Sequence, residues 1–161
     1  MKPAQEDLLI ELLQTEWQFL NTSIETLLLS VEKCKAIGLK PAFSFEEQES
    51  FDSLTSKFNR TSDLFTQKIL RTSWMLLHES FVPFIDMMNM CEKMHLIHSA
   101  DQMITIRDMR NQIAHEYLPK GLHDLVPEVI EMTEKLVENI EASKLFFTER
   151  RWIDTCEWSN H

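Results

Sequence analysis

The sequence predicts an all-α fold, an up-and-down bundle of four to five helices, and three observations carry that expectation. The 161 residues include two glycines and five prolines, so little of the chain suits turns, while Leu, Glu, Lys, Met and Gln, all good helix formers, are plentiful. Apolar residues recur at alternating steps of three and four over long stretches, the spacing that lines one face of a helix. Two Ser-x-x-Glu/Gln segments stand where helices would begin. A chain of this length buries about two-thirds of the surface its unfolded form exposes, enough for one self-sufficient core.

The first element is a long helix from about Asp7 to Ile37, with Ile10, Leu13, Trp17, Leu20, Ile24, Leu27, Val31 and Cys34 on its inward face. Gly38 falls where a left-handed C-cap is wanted, and Pro41 keeps the helix from resuming. Ser44-Phe45-Glu46-Glu47 is a capping box, in which the serine hydroxyl accepts from the amide three residues on and Glu47 reaches back to the serine amide. A second helix therefore starts near Phe45 and presents Phe51, Leu54, Phe58, Phe65, Ile69 and Leu76. It is expected to bend or end between Arg71 and Ser80, ahead of Pro83. A shorter third helix covers about Pro83 to Met94. A second capping box, Ser99-Ala100-Asp101-Gln102, opens a fourth helix that runs to about Glu116, where Pro119 and Gly121 are expected to break it. The fifth is expected from about Leu125 to Phe147, with Asp124 as N-cap, Pro127 in its first turn, and Leu125, Val129, Met132, Leu136 and Ile140 facing inward. Residues 1–149 thus make the bundle. Residues 150–161 make a tail whose Trp152 and Trp158 are expected either to fold back or to meet a partner.

Charge and cysteine usage narrow the function. The net charge of -10 repels nucleic-acid phosphates at long range and argues against a general nucleic-acid coat. That charge is unevenly placed: Lys57 to Lys120 holds eight Lys/Arg against seven Asp/Glu, a balance of +1 that leaves -11 for the two ends. Cys34, Cys91 and Cys156 are odd in number and widely spaced, which fits reduced thiols rather than a disulfide framework or a zinc knuckle. The N-terminus lacks a basic region followed by a cleavage site, and no apolar run approaches the ~18 residues that span a bilayer. A cytoplasmic protein without membrane contact is the expectation.

The chemistry concentrates in Arg110-Asn111-Gln112-Ile113-Ala114-His115-Glu116-Tyr117. At ~100° per residue, Ile106, Met109 and Ile113 share the inward side of the fourth helix. Arg107, Asp108, Asn111 and His115 fall on the polar arc, and Arg110 and Tyr117 lie at its seam. Asn111 and His115 are four apart and therefore neighbours. Histidine suits proton transfer near neutral pH, and Arg107 and Arg110 supply permanent charge in a fork that fits phosphate. Spacing alone leaves open that the basic pair merely answers the helix dipole and that Asn111 is an ordinary surface residue.

The pattern Arg-Asn-x-x-x-His-x-Tyr near the end of a bundle helix resembles the signature of the HEPN superfamily. The lead-in Glu92-Lys93-Met94-His95-Leu96-Ile97-His98-Ser99-Ala100-Asp101 resembles that of bacterial HepT-like members. Beyond these segments the likeness is one of helix pattern and length. The resemblance implies a HEPN-like bundle and metal-independent endoribonuclease activity at a homodimer cleft built from two copies of the motif. In it His115 serves as acid or base, Arg110 stabilises the phosphoryl transition state and Asn111 orients the substrate. Arg107 is an added phosphate contact that the family pattern does not require. The resemblance further implies a nucleotidyltransferase antitoxin as partner, RNA rather than DNA as substrate, and Tyr117, the only tyrosine, as the point where adenylylation silences the toxin. The alternatives are a non-catalytic HEPN subunit that binds a nucleotide or a nucleotidyltransferase, and a purely structural helical partner. The acidic balance departs from the basic approach path expected of a nuclease.

No cofactor is expected: two glycines leave no Gly-rich phosphate loop, and no serine stands in a nucleophile elbow. His95 and His98 have a chelating spacing but no evident third ligand, so no metal is expected either. Met88, Met90 and Met94 read as core filler.

Overall fold

The computed structural model describes residues 2–154. Among them all regular structure is helical: α1 (Pro3–Ile37), α2 (Phe45–Asp63), a π-helical segment (Leu64–Ile69), α3 (Leu70–Leu76), α4 (Phe84–Lys93), α5 (Ala100–His115) and α6 (Pro119–Glu149). The α1 helix packs along α2, the π segment and α3; α6 packs against α2 and α5; and α4 lies on α5. The expected inward faces of α1 from Leu13 to Cys34 and of the second helix are buried, and Trp17 meets Phe147 edge to face at 5.6 Å in the centre of the core. No helix among the described residues is long and apolar enough to cross a membrane. Cys34 and Cys91 are buried free thiols, and burial pushes the Cys91 thiol up to about 12. Cys156 lies outside the described residues.

Local chemistry explains where the helices start and stop. The Ser44 box forms in full: the Ser44 hydroxyl accepts from the Glu47 amide at 3.1 Å, and the Ser44 amide donates to Glu47 at 2.8 Å. Gly38 has φ 70° as expected but ψ -168°, outside the left-handed helical region and in one that only glycine enters without strain. The chain therefore leaves α1 extended rather than curled back. The Ser99 box forms only in half. Its hydroxyl accepts from the Gln102 amide at 3.2 Å, but the Gln102 side chain turns away to accept from Asn139, whose own Oδ1 takes the Ser99 amide at 2.9 Å.

The helix that begins at Phe45 ends at Leu76, within the expected interval, but its irregularity lies earlier, in the π segment Leu64–Ile69. Hydroxyl bonds to the backbone precede and enter this segment. Thr55, Thr61 and Thr66 each donate to the carbonyl four residues back, at 3.2, 2.8 and 2.9 Å, and such bonds compete with the backbone ladder and bend it. Over the π segment the Leu70 amide reaches the Phe65 carbonyl, five residues back.

The last helix corrects a sequence expectation. It begins at Pro119, not near Leu125, so Asp124 is not its N-cap and Pro127 lies inside it, past the first turn. Pro119 itself occupies the first turn, where a missing amide is harmless. Gly121 continues the helix because it leaves room for the Glu116 carboxylate, which accepts from the Leu118 amide at 3.0 Å. Of the expected inward face, Val129, Met132, Leu136 and Ile140 are buried, while Leu125 is half-buried and Val126 takes the inner place.

After α6 the chain turns back. Trp152 and Ile153 are buried, the Trp152 ring lies against Phe146 and Phe147, and Gln14 donates to the Trp152 carbonyl at 3.0 Å. Trp158 lies outside the described residues.

Glu16 is a buried carboxylate between α1 and α3 that accepts from the Thr72 hydroxyl at 2.8 Å. Burial raises it above the ordinary value of 4.5; the Thr72 hydrogen bond and the Lys68 charge oppose the shift without cancelling it. The folded state thus holds this proton more tightly than the unfolded chain. Its stabilising contribution is full below the ordinary value and is lost as pH rises through the folded one. Glu16→Gln keeps an acceptor for Thr72 and removes the charge. It is expected to raise stability at neutral pH by on the order of 1 kcal/mol. Denaturant melts between pH 4 and 8 should show a flatter pH dependence than for the native chain.

Candidate functional site

The α5 helix is anchored at its N-terminus before its motif is presented. At its N-terminus the fully buried Asn139 of α6 accepts from the amides of His98 and Ser99 at 3.0 and 2.9 Å, and donates to Gln102 and to the Lys135 carbonyl at 2.9 and 2.8 Å. All four hydrogen-bonding positions of one amide side chain are thereby used. Glu92 adds a bond from the Ala100 amide at 3.1 Å. Along its length Ile106, Met109 and Ile113 are buried, as their spacing predicts.

The opposite side of α5 opens on a groove of about 480 Å³, bounded by the π segment, α3, the α3–α4 connection and the start of α4. Arg107, Arg110 and Asn111 line it, together with Asp63, Arg71 and Phe81. Arg110 is clasped: its Nε and one terminal nitrogen each donate to Asp63 at 3.0 Å, and this bonding raises the guanidinium above its ordinary value. Asn59 adds a 3.4 Å bond to the Arg110 carbonyl. Arg107 lies over the Phe84 ring at 4.6 Å from its centroid, with Asp108 3.8 Å away.

The structure therefore gathers Arg107, Arg110 and Asn111 but leaves His115 and Tyr117 outside the groove. His115 is exposed in the last turn of α5, and Tyr117 is 85 % exposed beyond it. His115 follows Asn111 by one turn, whereas Arg110 and His115 are ~7.5 Å apart along the axis and ~140° apart around it. Within one copy the imidazole and the guanidinium diverge.

The sequence reading missed Asp63, Arg71, Thr66, Gln67 and Phe81, which come from other elements. The capping and apolar patterns mark where elements begin and which side faces in; they carry no signal for which residues of distant elements share a groove. Of the groove's charged lining residues three are arginines and one is a carboxylate, in a chain of net charge -10. Local positive balance of this kind is what attracts an anion.

His95 and His98 both follow the end of α4, so the helical geometry behind a chelating pair does not apply to them. Among the described residues no group of three His, Cys, Asp or Glu side chains is placed to hold a metal ion. Met88 is buried, and Met90 and Met94 pack against the core.

Removal of the Asp63 carboxylate tests how tightly Arg110 is held. Asp63→Asn is expected to lower stability by about 1 kcal/mol, the scale of a partly exposed ion pair with good geometry, in a urea melt.

Comparison of the chain with family models, curated proteins and solved structures finds no match.

Proposed function

We propose that this chain is a HEPN-type, metal-independent endoribonuclease that works in the cytoplasm as a homodimer and as the toxin of a pair with a nucleotidyltransferase antitoxin. The observation that carries this is the outer face of α5: Arg107, Arg110 and Asn111 open on one positively balanced groove, and His115 stands uncovered one turn further on. Because Arg110 and His115 diverge within one copy, two-fold pairing is needed to bring an imidazole and a guanidinium to one phosphate.

At such a cleft a ribose 2'-hydroxyl attacks the adjacent phosphorus and the bond to the 5'-oxygen breaks. His115 takes the proton from the nucleophile or returns one to the leaving oxygen, and Arg110, with Arg107, stabilises the charge on the phosphoryl group. Asn111 orients the strand. Tyr117, exposed beside His115 in sequence, is open to adenylylation by the partner enzyme.

A second function is favoured by the Asp63 clasp. A guanidinium already held by a carboxylate is half-neutralised, which suits a non-catalytic HEPN subunit that binds a nucleotide or presents substrate to a nucleotidyltransferase. Expression of the chain alone separates the two. Growth arrest that His115→Ala and Arg110→Ala both abolish, with both variants folded, supports the nuclease. Unchanged growth together with tight nucleotidyltransferase binding supports the accessory subunit.

A further inference from the structure

The groove beside α5 carries more than phosphate-binding charge. Phe81, in the connection between α3 and α4, is 81 % exposed at its rim, although burial of a phenylalanine side chain is worth about 1.5–3 kcal/mol. It is held there: the Trp74 indole donates to the Ser80 carbonyl at 3.0 Å, which fixes the backbone immediately before it. Nearby the Arg107 guanidinium lies over the Phe84 ring, 4.6 Å from its centroid. Arg71 is exposed on the same groove and has no ion-pair partner among the described residues. An aromatic ring offered to solvent, a guanidinium plane and an unpaired cation are complementary to one chemical class, a planar base joined to a phosphate.

We propose that this groove is a nucleotide subsite in which a base stacks on Phe81 and its phosphate is held by Arg71 and Arg107. This deepens, and rests on, the assignment of the α5 face as an RNA-cutting site. The subsite holds a nucleotide of the strand beside the cleaved bond. A free mononucleotide offers the same chemistry, and the experiment separates the two sources.

The test uses the full chain carrying His115→Ala, so that the strand stays intact, and a fluorescent single-stranded 2'-O-methyl hexaribonucleotide read by anisotropy. Adenosine and uridine monophosphates are titrated by calorimetry. Phe81→Ala is expected to weaken binding about tenfold, with Phe81→Tyr restoring it, as for loss of one stacked base. Arg71→Gln should weaken binding and lower the slope of log affinity against log salt by about one phosphate contact. A hexamer with abasic residues should bind the Phe81 and Phe81→Ala proteins alike.

Hexamer binding that depends on Phe81 assigns the subsite to an RNA strand; mononucleotide binding alone that depends on Phe81 assigns it to a free nucleotide. Equal binding by Phe81→Ala, or equal binding of abasic and complete hexamers, overturns it. Cleavage by the unsubstituted chain is scored separately. Cleavage with Phe81-independent binding removes the subsite and keeps the nuclease, whereas Phe81-dependent binding without cleavage does the reverse.

Discussion

Replacing His115 by alanine is expected to reduce RNA cleavage by a factor on the order of 10²–10⁴, the usual contribution of a positioned acid or base, with no change in melting temperature. The second half of that expectation comes from the structure. His115 is exposed in the last turn of α5, and its loss removes no core contact. Surface changes of this sort usually alter stability by less than about 0.5 kcal/mol. Arg110→Ala should lower cleavage too, but with a cost in stability, because it leaves the Asp63 carboxylate partly buried without its two hydrogen bonds. Measurement of rate and melting temperature on both variants distinguishes a proton-transfer group from a group that also ties α5 to the end of α2. Loss of cleavage in His115→Ala that merely followed unfolding would speak against a catalytic histidine.

Asn139→Leu is expected to be the most damaging single substitution outside the apolar core, at about 3–5 kcal/mol in denaturant unfolding. The side chain is fully buried, and its oxygen takes two adjacent backbone amides just before α5 while its nitrogen serves Gln102 and the Lys135 carbonyl. Leucine would fill the space but offer no acceptor, leaving the amides of His98 and Ser99 without the partner they have at this part-buried helix start. Because these amides lead into α5, the variant should also lose protection from hydrogen exchange first along Ala100–His115. A change below about 1 kcal/mol would mean that the α5 terminus finds other partners and that Asn139 does not hold it.

How much of this was legible in the sequence depended on whether the signal was local. Period and capping placed α1, the start of α2 and α4 to within a few residues, and they placed Ile106, Met109 and Ile113 in the core, because each rests on residues three or four apart. The start of α6 was misplaced for a local reason. Pro119 and Gly121 read as a break, whereas proline in the first turn of a helix is compatible with it and Gly121 accommodates Glu116. The π segment was missed because a five-residue step in the backbone ladder leaves Phe58 before it, and Phe65 and Ile69 within it, still inward and so leaves no mark on the apolar pattern.

The candidate site divides in the same way. That Arg107, Asn111 and His115 lie on the polar arc of one helix follows from spacing. That Asp63 clasps Arg110, or that Arg71 and Phe81 share the groove with Arg107, depends on how α2, α3 and the α3–α4 connection sit beside α5, a matter of residues 26 to 47 positions apart in the chain. Asn139 shows the same limit. A polar residue in an otherwise apolar helix face is visible in the sequence, but its four partners are not.

The decisive experiment is incubation of the purified chain with single-stranded RNA in excess chelator, across protein concentrations that span the monomer–dimer equilibrium measured by sedimentation. If paired copies of α5 bring imidazole and guanidinium to one phosphate, cleavage leaves 2',3'-cyclic phosphate ends, rises with the dimer fraction and vanishes in His115→Ala. Cleavage that is equal in His115→Ala, or a dimer that leaves the RNA uncut at every concentration, would contradict it.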